Sequence, residues 1–168
     1  MLGDLRFRSD DNFFELRAVG IIVHRPAVGE PHVLMVTSSS FDYAYSVGGA
    51  VGFGETTREA AAREVEEETG HRLEIGALAA VEEALYNENG RESQIVGLYY
   101  WVEVDEMFTP SGESLGTDGE QETLRWFSLS DLDSISFYPS FYRDALLEHW
   151  PGIWHSVEQG GEVTILRA

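Results

Sequence analysis

Three glutamates at helical spacing, Glu64, Glu67 and Glu68, are the residues whose types and positions most favour chemistry. On an α-helix, which turns about 100° per residue, their side chains share one arc. Like charges at this spacing destabilise a helix by roughly 0.2–0.5 kcal/mol per pair, and a bound cation can offset that cost. Carboxylates alone form an all-oxygen site, which favours Mg²⁺ or Mn²⁺ over zinc. A solvated acidic face explains the same residues, so this pattern leaves both interpretations open.

A glycine-rich segment lies directly before the acidic run. It contains Gly48-Gly49 and Gly52-Phe53-Gly54, and we predict a loop there. Glycines let backbone N–H and C=O groups approach a phosphate or a metal closely. Glu55 follows at the junction with the helix, and Arg63 can bridge to a glutamate one turn away, Glu59 or Glu67. This context favours a metal site over a solvated face.

Two principal helices and a mixed sheet are predicted to position these residues. The first helix follows Gly54, with Thr56 as N-cap, Glu59 as its capping-box partner and Gly70 as its C-terminal stop. The second helix spans about 139–150, opened by a proline and closed by Pro151-Gly152. Apolar and β-branched runs predict strands over 13–25, 32–37, 74–86, 94–104 and 124–129, a hairpin turn at 87–90 and a loop at 109–120.

Composition narrows the class of protein. The 168 residues are enough for one domain with a core, so we predict a single domain over 1–168. The net charge of −19 disfavours binding to nucleic acid or anionic membranes, although a metal could neutralise a small anionic substrate. The sequence has no cysteine, which excludes disulfides and thiolate sites, and its first twelve residues contain no signal-peptide core. No apolar run reaches membrane-spanning length. The absence of cysteine fits the cytosol, so we expect a cytoplasmic protein.

The spacing of the charged residues and glycines matches a known motif. Gly49-x5-Glu55-x7-Arg63-Glu64-Val65-x-Glu67-Glu68-x-Gly70 resembles the Nudix box, G-x5-E-x7-R-E-U-x-E-E-x-G-U, in which U is a bulky aliphatic residue. His71 stands where the pattern asks for an aliphatic residue, and we expect a local change in packing there. Similarity extends to Tyr45-Ser46-Val47-Gly48-Gly49 before the box and to Leu124-Arg125-Trp126-Phe127 after it.

The resemblance implies an α/β/α sandwich around a mixed β-sheet. It also implies hydrolysis of a diphosphate bond in a nucleoside diphosphate linked to another moiety, with Mg²⁺ or Mn²⁺ as cofactor. By carry-over, Glu64, Glu67 and Glu68 bind the metal with help from the Gly49 carbonyl, and Arg63 orients the glutamates. Glu55 is implied as a further ligand or as an anchor for the loop, and we favour the anchor.

The general base and the substrate site are less constrained by the resemblance. Family members use either a glutamate of the box or an acid from a later loop, which here offers Asp118, Glu120 and Glu122, and we select Glu120. Substrate binding is assigned to Gly48, Gly49, Tyr45 and Arg91. Phe41, Tyr43 and Tyr86 could also stack on a base, although such side chains more often serve packing. The candidate substrates are ADP-ribose, a dinucleoside polyphosphate, a nucleotide sugar and an oxidised nucleoside triphosphate, and a homodimer would fit the family.

Three alternatives belong to other functional classes. A non-catalytic nucleotide-sensing module on the same fold would be expected to have degraded metal ligands, and all three glutamates are present. An isomerase branch acting on isopentenyl diphosphate uses a cysteine, which this chain lacks. An acidic scaffold would be unaffected by Glu67→Gln, whereas a hydrolase would lose at least about a hundredfold in rate.

Overall fold

One mixed sheet dominates the computed structural model, which describes residues 3–112, 122–148 and 152–167. Two α-helices accompany it, α1 (Thr57–Thr69) and α2 (Tyr142–Glu148), with a short 3-10 helix at Asp131–Asp133. In chain order the strands are β1 (Arg6–Arg8), β2 (Asn12–His24), β3 (His32–Ser38), β4 (Tyr43–Ala50), β5 (Leu78–Glu88), β6 (Arg91–Val104), β7 (Glu122–Ser128), β8 (Ser136–Tyr138), β9 (Trp154–Gln159) and β10 (Glu162–Arg167).

The central strand β2 determines where the glycine pair lies. The strand order is β10-β9-β5-β6-β2-β3-β4-β8, with β1 attached to β2 and β7 attached to β3. β2 runs parallel to β6 along its whole length but pairs with β3 only at Val23 and His24. Nearer its start, β2 pairs antiparallel with β4, which places Gly48 opposite Val19 and Gly49 opposite Ala18. The two glycines are therefore held in the sheet beside β2.

The sheet is covered on both faces, in agreement with the predicted layers. On one face α1 buries Ala60, Ala61 and Val65 against apolar residues of the sheet. On the other face Tyr99 and Trp154 pack with α2 and the turn before it. Because its middle is buried on both sides, β2 reads as a continuous apolar run rather than an alternating one. The prediction of an α+β fold with a mixed sheet and two principal helices is confirmed.

The predicted boundaries of α1 are confirmed in detail. Thr56 accepts a hydrogen bond from the Glu59 backbone N–H, and the Glu59 side chain accepts from the Thr56 N–H, which completes the capping box. Gly70 ends the helix in a left-handed conformation, with φ of 74°. The helix that carries the glutamates is thus fixed at both ends by residues adjacent to the acidic run.

Several boundaries differ from the sequence-based prediction. Gly48 and Gly49 were predicted to lie in a loop, but they belong to strand β4 because its register with β2 brings the two backbones together. The strand predicted over 74–86 starts later, at Leu78. The second helix begins at Tyr142 rather than Pro139, because a turn closed by the Tyr142 N–H on the Pro139 carbonyl precedes it. Strands β1, β4, β8, β9 and β10 were not predicted.

In the described part of the chain, no helix is long and apolar enough to span a membrane.

Candidate active site

Strand β4 and helix α1 bring the glycine pair against the acidic face. A β-carbon on Gly49 would lie 2.5 Å from Oε1 of Glu64, so the carboxylate fits only because this position has no side chain. The Gly48 N–H donates a hydrogen bond of 3.1 Å to Oε1 of Glu68. The helix approaches this closely because Val65 packs onto Gly20 of β2, where a β-carbon would lie 2.5 Å from the valine. Two of the three predicted metal ligands therefore meet at Gly48-Gly49.

Glu68 carries an oxygen that fits a cation. Among the described residues, its Oε2 is one of the buried side-chain atoms without a hydrogen-bond partner. Burial raises the pKa of Glu68 to about 8, and the charges of Glu64 and Glu122 act in the same direction against Arg17 and the Gly48 N–H. Burial also raises the pKa of Glu64. A divalent cation would compensate both half-buried carboxylates, so the donor set fits Mg²⁺ or Mn²⁺.

Glu67 is more exposed than these two carboxylates, although it shares Nη1 of Arg63 with Glu64. Its side chain is 58% exposed and pairs with Arg63 at 3.3 Å. Within residues 3–112, 122–148 and 152–167, no three acidic or histidine side chains are already arranged around a metal position. The structure thus brings Glu64 and Glu68 together, while metal binding by Glu67 stays a prediction. Glu66, which lies outside the arc shared by Glu64, Glu67 and Glu68, points to solvent and pairs with Arg72.

Arg63 connects α1 to the segment that precedes it. Its guanidinium donates to Glu55 at 2.8 Å, to Glu64 at 2.6 Å and to the Ala50 carbonyl at 3.1 Å. Glu59, one of the predicted partners of Arg63, instead accepts a hydrogen bond from the Thr56 N–H in the helix cap. Glu55 also accepts from the Gly52 N–H at 2.6 Å, and the hydrogen bond from Arg63 lowers its pKa. This geometry favours Glu55 as an anchor of the segment.

A second arginine, Arg17 of β2, was missed by the sequence-based reasoning. Its Nη2 donates a hydrogen bond of 2.5 Å to the Gly48 carbonyl, and its Nη1 donates to Glu15 at 3.3 Å. Burial alone would lower its pKa, but Glu15, Tyr99, Glu68 and Glu64 together raise it. The available signal was the Glu15-Leu16-Arg17 sequence within an otherwise apolar strand, since half-buried charges need partners.

The segment predicted to carry the general base begins and ends beside α1. At its start the Ser111 N–H donates to the Thr69 carbonyl at 2.8 Å, and Gly112 packs on the carbonyls of Glu67 and Glu68. At its end Glu122 accepts a hydrogen bond from the Tyr45 hydroxyl. Burial raises the pKa of Tyr45, and this hydrogen bond raises it further.

Of the three acids proposed from this loop, the structure describes Glu122. Asp118 and the selected base Glu120 lie outside the described residues.

Arg91 is not brought to the glycine pair. It starts β6 with its guanidinium 5.8 Å from the ring of Phe13. Arg17 pairs with Gly97, six residues further along β6, which places Arg91 about 20 Å away along the strand. The aromatic side chains are closer to the site, since the rings of Phe41 and Tyr43 stack at 5.0 Å beside Tyr45.

His71, the departure from the motif, takes over the packing role of the expected aliphatic residue. Its ring lies 4.4 Å from the ring of Phe108, and its Nε2 is 3.3 Å from the Thr109 carbonyl oxygen.

Comparisons with known proteins agree with this geometry. A family model described as the NUDIX domain matches residues 15–151. No curated protein matches the chain. The fold resembles a crystal structure of the mutator MutT protein from Bacillus halodurans, with a TM-score of 0.65 and 14% identity over 91% of this chain and 97% of that one.

Two further structures share the fold. A MutT NUDIX hydrolase from Burkholderia pseudomallei has a TM-score of 0.58 and 22% identity, covering 80% of this chain and 98% of that one. An Ap4A hydrolase from C. elegans has a TM-score of 0.50 and 21% identity, covering 73% of this chain and 85% of that one. At these identities the structures support the fold, whereas the family model covers most of the chain. The chain therefore belongs to the Nudix hydrolase family, as an enzyme of the pyrophosphohydrolase class.

Proposed function

We propose that this chain hydrolyses a diphosphate bond in a nucleoside diphosphate linked to another moiety, using Mg²⁺ or Mn²⁺ held by Glu64, Glu67, Glu68 and the Gly49 carbonyl. The observation that carries the proposal is the buried, unpartnered Oε2 of Glu68, which lies in the same site as the Glu64 carboxylate at Gly48-Gly49. A buried, unpartnered carboxylate oxygen costs stability unless a proton or a cation compensates its charge. Glu67 would join the site by leaving Arg63 for the metal.

The residues of the chain perform the positioning. A bound divalent ion supplies charge neutralisation of the phosphate oxygens and a lowered pKa for water. Arg63 holds Glu64 in place and ties it to Glu55, so the carboxylate is oriented before substrate arrives. The Gly48 N–H does the same for Glu68. Catalysis of this kind depends mostly on such positioning and on electrostatics.

The general base is proposed to be Glu120, with Glu122 and a box glutamate as the alternatives. Glu122 is near enough to Glu68 to raise its pKa, which supports an acid from this region acting as the general base on the attacking water. Glu120→Gln and Glu122→Gln separate the two loop acids. The variant of the true base should lose the acidic limb of the pH–rate dependence, in which the rate rises as the base loses its proton, while the other variant keeps it.

The substrate is proposed to be a nucleotide derivative, contacted by Gly48, Gly49 and Tyr45. The related folds are titled MutT protein and Ap4A hydrolase, which makes nucleoside triphosphates and dinucleoside polyphosphates the first compounds to test. ADP-ribose and nucleotide sugars complete the set. Arg91 would contact only a long substrate, given its distance along β6 from Arg17.

The test is a hydrolysis assay with Mg²⁺ or Mn²⁺ on these four substrate classes, read as phosphate released after phosphatase coupling. Metal-dependent turnover of one class, absent without metal, would support the proposal and identify the substrate. Tight metal and nucleotide binding without turnover of any class would favour the nucleotide-sensing module instead.

A single Nudix domain over 1–168, a homodimer and a cytoplasmic location stay predictions.

A further inference from the structure

We propose that Arg17 is a positioning residue for the metal site, acting through the Gly48-Gly49 backbone and not by contact with substrate. The inference rests on the proposed function, because it concerns the same cation. It assigns a role to a residue outside the Nudix box, on a different strand from Gly48 and 31 positions earlier in the chain.

The backbone of Gly48 is held from two sides. Its carbonyl accepts the 2.5 Å hydrogen bond from Arg17 Nη2, and its N–H donates to Glu68 Oε1 at 3.1 Å. The Gly48 carbonyl belongs to the same peptide plane as the Gly49 N–H, so Arg17 sets the orientation of the backbone that leads to the Gly49 carbonyl. Arg17 thus orients the backbone between two predicted metal ligands, Gly49 and Glu68.

Arg17 is itself held in place by a short ionic chain. Its Nη1 donates to Oε1 of Glu15, whose Oε2 accepts from Arg6 Nε at 2.7 Å. Glu15 is 4% exposed and pairs with both arginines. The Arg17 side chain is 25% exposed. A planar guanidinium can reach Glu15 and the Gly48 carbonyl at the same time, whereas a lysine ammonium on a flexible chain cannot hold both in one geometry.

Positioning and simple counter-charge make opposite predictions for metal affinity. A positive charge near Glu64 and Glu68 repels a divalent cation, so its removal would strengthen binding if charge were its whole contribution. If Arg17 orients the Gly48-Gly49 backbone, its removal weakens binding in spite of the relieved repulsion. Arg17→Lys retains the positive charge and loses the planar guanidinium with its several N–H donors, so it separates the two contributions.

The experiment measures the dissociation constant of Mn²⁺ alone, by calorimetry, for full-length wild type, Arg17→Lys, Arg17→Met and Glu15→Gln. Arg25→Lys is the matched control, because Arg25 has the same 25% side-chain exposure and donates to the Leu146 carbonyl away from the site. We expect Arg17→Lys and Arg17→Met to bind Mn²⁺ about tenfold more weakly, in the range found for residues that support metal ligands. Glu15→Gln should weaken binding less, and Arg25→Lys should leave it unchanged.

Thermal unfolding of each metal-free variant separates a site effect from general destabilisation. Equal losses of melting temperature in Arg17→Lys and Arg25→Lys, with weaker Mn²⁺ binding only in the former, would support positioning. Unchanged binding in Arg17→Lys with tighter binding in Arg17→Met would overturn it and leave Arg17 as a counter-charge. Glu15→Gln decides the matter if the Arg17 variants do not fold, since unchanged binding there contradicts the inference. A wild type that binds no Mn²⁺ would instead overturn the proposed function, and the inference with it.

Discussion

The carboxylate of Glu64 lies against the α-carbon of Gly49, in a space that a side chain at position 49 would fill. A β-carbon there would be 2.5 Å from Oε1 and 2.6 Å from Oε2 of Glu64. The neighbouring glycine differs, since a β-carbon on Gly48 would collide with the Ala18 carbonyl and lie 2.8 Å from Val19 Cα. One glycine makes room for a flexible carboxylate and the other for the backbone of β2.

Gly49→Ala should therefore impair function more than stability. The added methyl group displaces the Glu64 carboxylate, which can move, so the loss falls on metal affinity and turnover. We expect a decrease in kcat/KM of about a hundredfold, comparable to removal of a key electrostatic group. Kinetics at several Mn²⁺ concentrations, together with thermal unfolding of the metal-free protein, would measure the two effects separately.

Gly48→Ala is the comparison variant. Its methyl group meets backbone atoms that cannot move away, and Gly48 has φ of +150°, so we expect a loss of stability on the order of 2 kcal/mol or more. Equal destabilisation by the two alanine variants would contradict the assignment of Gly49 to the site.

Glu67→Gln should reduce turnover at least about a hundredfold if Glu67 joins the metal site. The matched control is Glu66→Gln, because Glu66 is the adjacent acid on α1 and faces solvent beside Arg72. Steady-state kinetics of the two variants under saturating Mg²⁺ would show the difference. Near-normal turnover of Glu67→Gln would remove Glu67 from the site and leave its pairing with Arg63 as its role.

Buried Glu82 should make folding stability depend on pH. It is 7% exposed and accepts a 2.5 Å hydrogen bond from the Tyr99 hydroxyl, and burial raises its pKa to about 7. The folded protein keeps a proton that the unfolded chain releases between about pH 4.5 and 7, so stability falls as pH rises through this window. Glu82→Gln cannot ionise and retains an acceptor for Tyr99. At pH 8 the variant should exceed wild type by up to about 3 kcal/mol, with little difference at pH 5.

Denaturant unfolding of metal-free protein at pH 5 and pH 8 measures this effect. Glu66→Gln serves as the exposed control and should follow wild type at both values. A Glu82→Gln advantage of equal size at both pH values would mean that Glu82 is already ionised in the folded protein.

The sequence predicted the elements that have a local signal. Helix α1 is marked by a capping box and a terminal glycine, and β2 and β6 are marked by apolar runs that match their burial. Strand β4 was not predicted because its glycine pair locally favours a loop. The pairing with β2, which is not visible in the local sequence, overrides this preference. Strand β10 is mostly exposed, but Gly160-Gly161 and the β-branched residues 163–165 are a local hairpin signal that the prediction missed.

The contacts of the site differ in the same way, because only those between residues close in sequence have a local signal. Arg63, Glu55 and Glu64 are close in sequence and fixed by the motif, so their mutual contacts could be anticipated. Arg17 reaches Gly48 only through the register of β2 against β4, which no spacing within the sequence reveals.

The most direct test of the proposed metal site is the affinity of Glu68→Gln for Mn²⁺, measured by calorimetry beside wild type and Glu66→Gln. In the proposed site a divalent cation lies at the buried Oε2 of Glu68. We therefore expect Glu68→Gln to bind Mn²⁺ at least about tenfold more weakly, while Glu66→Gln binds as wild type does. Equal affinity in all three proteins would contradict the assignment of the metal to Glu68 and to the glycine pair beside it.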